Sequence, residues 1–278
     1  MVWYRGAMRV QIVYPEDGWI LEQLARQLID GLPYATGSLM DPSRRGTWDI
    51  TYYVPYLLYG TKSRLNKVLG KPKNSRLVGG WFTHRGDERF EQIAAKVDFC
   101  VSPCSMSRDF LYENVTRNAH IIRHGIDLEK FRPRLRLGFI GKLQARGRKG
   151  EDIMSEIAKL PFVEIISTGG KLSADEIPSI YHQIDYVLIT STVEGGPLCF
   201  QEGLASGKEI ISTHVGMVAD FADSPGVHIY GDIADLKRIL HEKYEERLRL
   251  RQLVEEYSLR YWVDAHDRLF RSLLDQER

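Results

Sequence analysis

Two glutamates, Glu194 and Glu202, are separated by seven residues in the stretch EGGPLCFQE. An ionised carboxylate only accepts hydrogen bonds and can take two at once, so such a pair suits hydroxyl donors and repels phosphate. The residues between them favour the opposite charge. Gly195 and Gly196 let a ligand approach the backbone closely, and Pro197 suits the first position of a helix. The amides of Gly196, Leu198 and Cys199, together with the helix dipole, then offer an anion site. A molecule that is anionic in the middle and hydroxylated at both ends, as a nucleotide sugar is, satisfies the whole stretch. The same residues also read as an ordinary helix start with surface glutamates.

Three other stretches carry chemistry. Gly141–Gly150 (GKLQARGRKG) holds four cations, Lys142, Arg146, Arg148 and Lys149, and no acid. Such a loop neutralises a diphosphate when it follows the first strand of a parallel sheet, and is a solvated surface otherwise. His84 stands just past an apolar run, Arg76–Phe82. It fits an active-site histidine or a strand-end histidine satisfied by backbone. Between Asp49 and Asp87 there is no acid, while Lys62, Arg64, Lys67, Lys71, Lys73 and Arg76 all occur. Tyr52, Tyr53, Tyr56, Leu57, Leu58 and Tyr59 precede them. An aromatic and basic run of this kind fits an anionic membrane surface, a phosphorylated acceptor or a nucleic-acid backbone, and fits equally a solvated helix whose tyrosines pack inside.

The elements that must position these residues alternate. Strands are predicted at Arg9–Tyr14, Thr47–Val54, Arg76–Phe82, Asp98–Ser102 and His120–Arg123, with helices at Trp19–Gly31, Asp87–Lys96 and Ser105–Asn114. After Phe131-Arg132-Pro133 the pattern restarts with strands Leu135–Ile140, Val163–Ser167, Tyr186–Thr190, Glu209–Ser212 and Val227–Tyr230. Helices Gly150–Leu160, Ala174–Gln183 and Pro197–Ser206 lie between these strands, and one long helix runs from about Asp232 to the end. Alternation of this kind implies parallel sheets covered on both faces. The expected fold is therefore α/β with two doubly wound Rossmann-like domains, 1–133 and 134–278, a cleft between them and a long C-terminal helix that packs back on the first. Ligands in such sheets bind beyond the carboxyl ends of the strands, where the strand order reverses.

Composition agrees and excludes alternatives. The chain has 278 residues, 43% hydrophobic and 27% charged, which rules out disorder and small disulfide scaffolds. No run approaches the roughly 18–20 apolar residues of a membrane span, and no signal-peptide core opens the chain. Cys100, Cys104 and Cys199 are odd in number and lack a Cys-x-x-Cys pair, which fits a reducing, cytoplasmic setting. The net charge of +1 conceals 19 Lys+Arg against 14 Asp+Glu in residues 1–133, and 19 against 23 thereafter.

In order and spacing, His124-Gly125-Ile126-Asp127, Gly141-Lys142-Leu143 with Lys149-Gly150, Glu194 to Glu202, and His214-Val215-Gly216-Met217 resemble one family. It is the nucleotide-sugar-dependent glycosyltransferases of the GT-B fold, family four (glycosyltransferases group one). The resemblance is specific over about residues 120–222. It implies that Glu202 binds the ribose hydroxyls of the donor and Glu194 the transferred sugar, beside the backbone of Gly195, Gly196 and Leu198. Lys149 corresponds to the diphosphate lysine, and Lys142 stands where arginine is usual, with Arg148 a rival contact. Asp220 replaces a usual glutamate, His84 matches the active-site histidine, and Gly18 matches one glycine of the acceptor-domain loop. The implied activity is hexosyl transfer from a nucleoside-diphosphate sugar to an acceptor hydroxyl with retention of configuration. No Asp-x-Asp pair occurs in the chain, so neither a metal nor a resident cofactor is expected. No obligate protein partner is inferred. A nucleotide-sugar epimerase or hydrolase, and a non-catalytic nucleotide-sugar or nucleic-acid binding module, are the competing readings.

Overall fold

The computed structural model describes residues 8–42, 45–60, 72–83, 89–142 and 148–277. His84, Lys62, Arg64, Lys67 and Lys71 lie outside the described residues.

Short runs of Val, Ile, Tyr and Phe form strands because such side chains fit a pleated surface buried on both faces. Up to Phe131 the order is β1 (Val10–Tyr14), α1 (Ile20–Gly31), β2 (Ala35–Leu39), β3 (Trp48–Tyr53), a 3-10 turn (Tyr56–Gly60), β4 (Ser75–Trp81), α2 (Arg89–Ala94), β5 (Phe99–Ser102), α3 (Ser105–Asn114) and β6 (Ala119–Ile121). The second series runs β7 (Leu135–Phe139), α4 (Glu151–Ile157), β8 (Val163–Ser167), α5 (Ile177–Tyr181), β9 (Tyr186–Ile189), α6 (Leu198–Ala205), β10 (Glu209–Ser212), a 3-10 turn (Gly216–Phe221), β11 (Val227–Ile229) and α7 (Ile233–Gln252). The last helix is α8 (Leu259–Gln276). Among the described residues every strand pairing is parallel, in one sheet of order β2-β1-β3-β4-β5-β6 and another of order β11-β10-β9-β7-β8. These are the two doubly wound α/β layers that the alternation predicts.

The chain divides into two compact units, one of residues up to Phe131 together with Val254 onward, the other Arg132–Leu253. The C-terminal segment is therefore not one long helix. It breaks after Gln252, and Ser258 starts α8 by accepting the Tyr261 amide at 3.2 Å. The second half of the predicted helix belongs to the first unit, where Trp262, Phe270 and Leu273 enter the core with Ile12, Tyr52 and Phe99. The Trp262 indole donates to the Leu24 carbonyl at 3.2 Å. His124–Asp127 has a structural role in the same unit. A β-carbon on Gly125 would lie 2.5 Å from Trp262 Cβ, and Ile126 exchanges backbone hydrogen bonds with Tyr257 and Leu259 at 2.9 and 3.1 Å.

Two further expectations change. The residues ATGSL form an unpredicted edge strand, β2, with no fully buried side chain. The tyrosine run is core: Tyr52, Tyr53 and Tyr56 are inaccessible, and Leu58 and Tyr59 nearly so. Those rings pack against Phe82, Phe90 and Phe270, so they are not available to lie on a membrane. Of the cations beyond them, Lys73 is exposed, and Arg76 pairs with Asp49 and Glu277 at 3.3 Å each. No helix among the described residues is long and apolar enough to cross a membrane.

Candidate functional site

In the second unit the chain leaves β7 for β8 on one side and returns to β9 on the other. The strand order reverses between β7 and β9, and the loops leaving these strands flank the natural ligand position. Their described parts, residues 140–142, 148–150 and 190–197, hold the lysines and the glycine-rich turn.

The two loops are laced together. Gly150 has φ +68°, and a β-carbon there would lie 2.4 Å from the Thr190 carbonyl oxygen, so only glycine permits this approach. The Thr190 hydroxyl donates to the Lys149 carbonyl. The Thr192 amide donates to the Arg148 carbonyl at 3.0 Å, and Arg148 Nη1 donates to the Val193 carbonyl at 3.1 Å. From the opposite side Gly216, at φ +46°, lets the next loop close on the turn, and the Met217 amide donates to the Gly195 carbonyl at 2.9 Å. The motif His214–Met217 thus supports the turn from below.

This scaffold delivers the Lys149 ammonium to Glu194 Oε1 in a partly buried ion pair. Burial works to raise the Glu194 carboxyl. Hydrogen bonds from Lys149 and Ser191, with the charges of Lys149 and Arg148, outweigh it and hold the carboxyl below its ordinary value. Glu202, on α6, accepts the Tyr181 hydroxyl at Oε2, 2.6 Å away. Between them lies Cys199. Burial pushes its thiol up to about 11, while Lys149 draws it down and Glu202 and Glu194 push it further up. Lys149 and Glu194 thus meet although 45 residues separate them, and both, with Glu202, act on the Cys199 thiol in the first turn of α6.

The turn leaves room above itself. An added β-carbon at Gly195 would meet no heavy atom within 4 Å, and at Gly196 only Met217 Cε at 3.9 Å. Neither glycine is required by the chain's own packing, in contrast to Gly150 and Gly216. Pro197 is not the first helical residue but the extended cap, ψ 117°, and α6 begins at Leu198. The amides of Leu198 and Cys199 consequently fall in the first turn, where no earlier helical carbonyl reaches them. The Leu198 side chain is 69% exposed. Lys142 is also exposed and packs over Gly170, whose β-carbon would lie 2.1 Å from Lys142 Cγ. No contact joins it to Glu194. Asp220 is exposed on the 3-10 turn.

In the first unit Gly18 follows β1, which lies between β2 and β3 at that sheet's own reversal. Its amide is already engaged. Gly18 and Asp17 donate to Glu22 Oε2 at 2.8 and 3.1 Å, and Glu22 also accepts from Arg26 at 2.7 Å. The Gly18 amide, then Arg26, hold the Glu22 carboxyl below its usual range. What stands open there is the Trp19 side chain, 71% exposed.

Residues that the sequence did not single out complete the second-unit site: Tyr181 on Glu202, Ser191 on Glu194, and Thr190 on the Lys149 backbone. Among the described residues no group of three or more His, Cys, Asp or Glu is arranged to hold a metal ion.

No protein-family profile matches the chain, and no curated protein is similar to it in sequence. Solved structures do resemble it. One is the apo form of the lipopolysaccharide outer core galactosyltransferase WaaB, at 11% identity and TM-score 0.40, covering 95% of this chain and 99% of that one. Sucrose-phosphate synthase from Thermosynechococcus elongatus is similar at 11% identity and TM-score 0.40, covering 97% and 100%. An α,α-trehalose-phosphate synthase (UDP-forming) from Burkholderia vietnamiensis follows at 11% identity and TM-score 0.32, covering 82% and 73%.

Proposed function

We propose that the protein is a glycosyltransferase that moves a sugar from a nucleoside-diphosphate sugar to an acceptor hydroxyl. The observation that carries this reading is the pairing of Lys149 with Glu194 at the strand-order reversal of the second sheet, beside an open glycine turn that leads into the helix bearing Glu202. Cations and first-turn amides suit the diphosphate, and the two carboxylates suit the hydroxyls on either side of it. Glu202 is assigned to the ribose and Glu194 to the transferred sugar. Lys149 is assigned to the diphosphate, with Lys142 at its outer edge.

Chemically, the bond between the anomeric carbon and the phosphate oxygen breaks while the acceptor oxygen bonds to that carbon. The acceptor proton passes to the departing phosphate. Attack from the leaving-group face through an oxocarbenium-like state, with no covalent enzyme intermediate, gives retention. Lys149 and the α6 amides stabilise the charge that develops on the diphosphate, so the transfer needs no metal. The acceptor is assigned to the first unit, with His84 orienting it.

The test is an activity assay with UDP-, GDP- and ADP-sugars and a panel of hydroxyl acceptors in excess EDTA. One donor is expected to release its nucleoside diphosphate in step with glycosylated product, at the same rate with and without EDTA. Release of free or epimerised sugar without acceptor would assign the hydrolase or epimerase reading instead. A strict metal requirement would overturn the mechanism.

A further inference from the structure

Glu202 is held from behind. The Tyr181 hydroxyl donates to its Oε2 at 2.6 Å from the end of α5. The tyrosine is 2% exposed and packs with Ile184, Val187 and Phe200, so its ring has no freedom to swing away. Burial, then the hydrogen bond to Glu202, hold this phenol far above its ordinary range, so it stays a neutral donor wherever the protein is folded. A carboxylate offers about four acceptor positions on its two oxygens. The tyrosine fills one of these and fixes the plane of the group. Both positions of Oε1 and the second of Oε2 remain.

We infer that Tyr181 is a positioning residue that holds the Glu202 carboxylate where its two oxygens accept from two adjacent hydroxyls, and so makes the site select ribonucleotides over 2′-deoxyribonucleotides. The inference rests on the donor-site reading of Glu202. A carboxylate free to rotate must lose that freedom to bind a hydroxyl pair, and serves a single hydroxyl almost as well. A carboxylate already fixed gains the second hydrogen bond at no further ordering cost. Selection between a diol and a single hydroxyl therefore depends on the restraint as well as on the charge.

The experiment is calorimetric titration of the whole chain with UDP, GDP and ADP, each against its 2′-deoxy counterpart. It uses wild type, Tyr181→Phe, Glu202→Gln and the double variant. Tyr181→Phe removes one oxygen and leaves the buried ring, and its unfolding midpoint checks that the fold persists. Wild type is expected to prefer the ribonucleotide by about tenfold, the size of one hydrogen bond to a charged group. Tyr181→Phe is expected to reduce that preference to about threefold or less, with the loss falling on the ribonucleotide. In the Glu202→Gln background the same change should add nothing. An equal loss for both nucleotides, an unchanged preference, or additive effects would overturn the role of Tyr181 while leaving the donor-site reading in place. Binding of none of the three nucleotides by wild type would overturn that reading and this inference together.

Discussion

Lys149→Ala is expected to lower turnover at saturating donor by about 10²–10³-fold, the loss typical of one preorganised charge stabiliser. The lysine is held at its backbone by Thr190 and by the close approach that Gly150 permits, so its ammonium needs little reorganisation. It pairs with Glu194. A diphosphate therefore competes with Glu194 for the same cation, and the competition shifts toward phosphate as the bond to the sugar breaks and charge accumulates there. An interaction that strengthens in this way lowers the barrier rather than only the donor KM. The same substitution removes the main group that keeps the Glu194 carboxyl low, so that carboxyl should titrate higher. Steady-state kinetics separate the alternatives. A raised KM with unchanged kcat would mean that Lys149 binds ground state and transition state alike, and would contradict the stabilising role.

The second large effect lies in the core of the first unit and is read by pH. His266 is fully buried between Tyr52, Trp81, Trp262 and Phe270. Its Nδ1 lies 2.9 Å from the Trp262 carbonyl and so carries the proton, leaving Nε2 to accept from Tyr52 at 3.2 Å. Burial lowers the ring to about 3 from 6.5, and the Trp262 carbonyl offsets this only in part. Between those values the unfolded chain binds a proton that the folded chain refuses. Stability contributed by this group is complete above about pH 6.5 and is lost as pH falls toward 3, at about 1.4 kcal/mol per unit. From pH 6.5 to 5, above the main carboxylate range, wild type should lose about 2 kcal/mol more than His266→Gln. Urea unfolding followed by tryptophan fluorescence measures this in the first unit alone, because all five tryptophans lie there. Equal pH slopes in the two proteins would contradict the buried neutral histidine.

Much of the architecture is legible in the residues, for local reasons. β8 and β10 lie where their β-branched runs predict them, and α3 spans the predicted Ser105–Asn114. β2 is illegible because Ala-Thr-Gly-Ser-Leu has one large apolar side chain, at its end and exposed, and no alternation; its pairing with β1 makes it a strand. The break between α7 and α8 is hidden by charges that run through both helices, and its one local mark is Ser258 ahead of an apolar repeat. At the site, the spacing of Glu194 and Glu202 is visible because it spans one turn and one helix. The meeting of Lys149 with Glu194 depends on β9 returning to the far side of β7, which no local pattern encodes. Tyr181 is hidden for another reason: a buried tyrosine on an amphipathic helix reads as core, and only its hydroxyl's partner marks it as part of the site.

In the proposed site the second unit holds a nucleoside diphosphate between Lys149 and Glu202. Calorimetric titration of wild type and Glu202→Ala with UDP, GDP and ADP reads this binding. One of the three should bind wild type at one site per chain, and Glu202→Ala should weaken that binding by about 1–3 kcal/mol, the cost of leaving sugar hydroxyls unpaired. Binding of none of the three, or identical affinity in the two proteins, would contradict it.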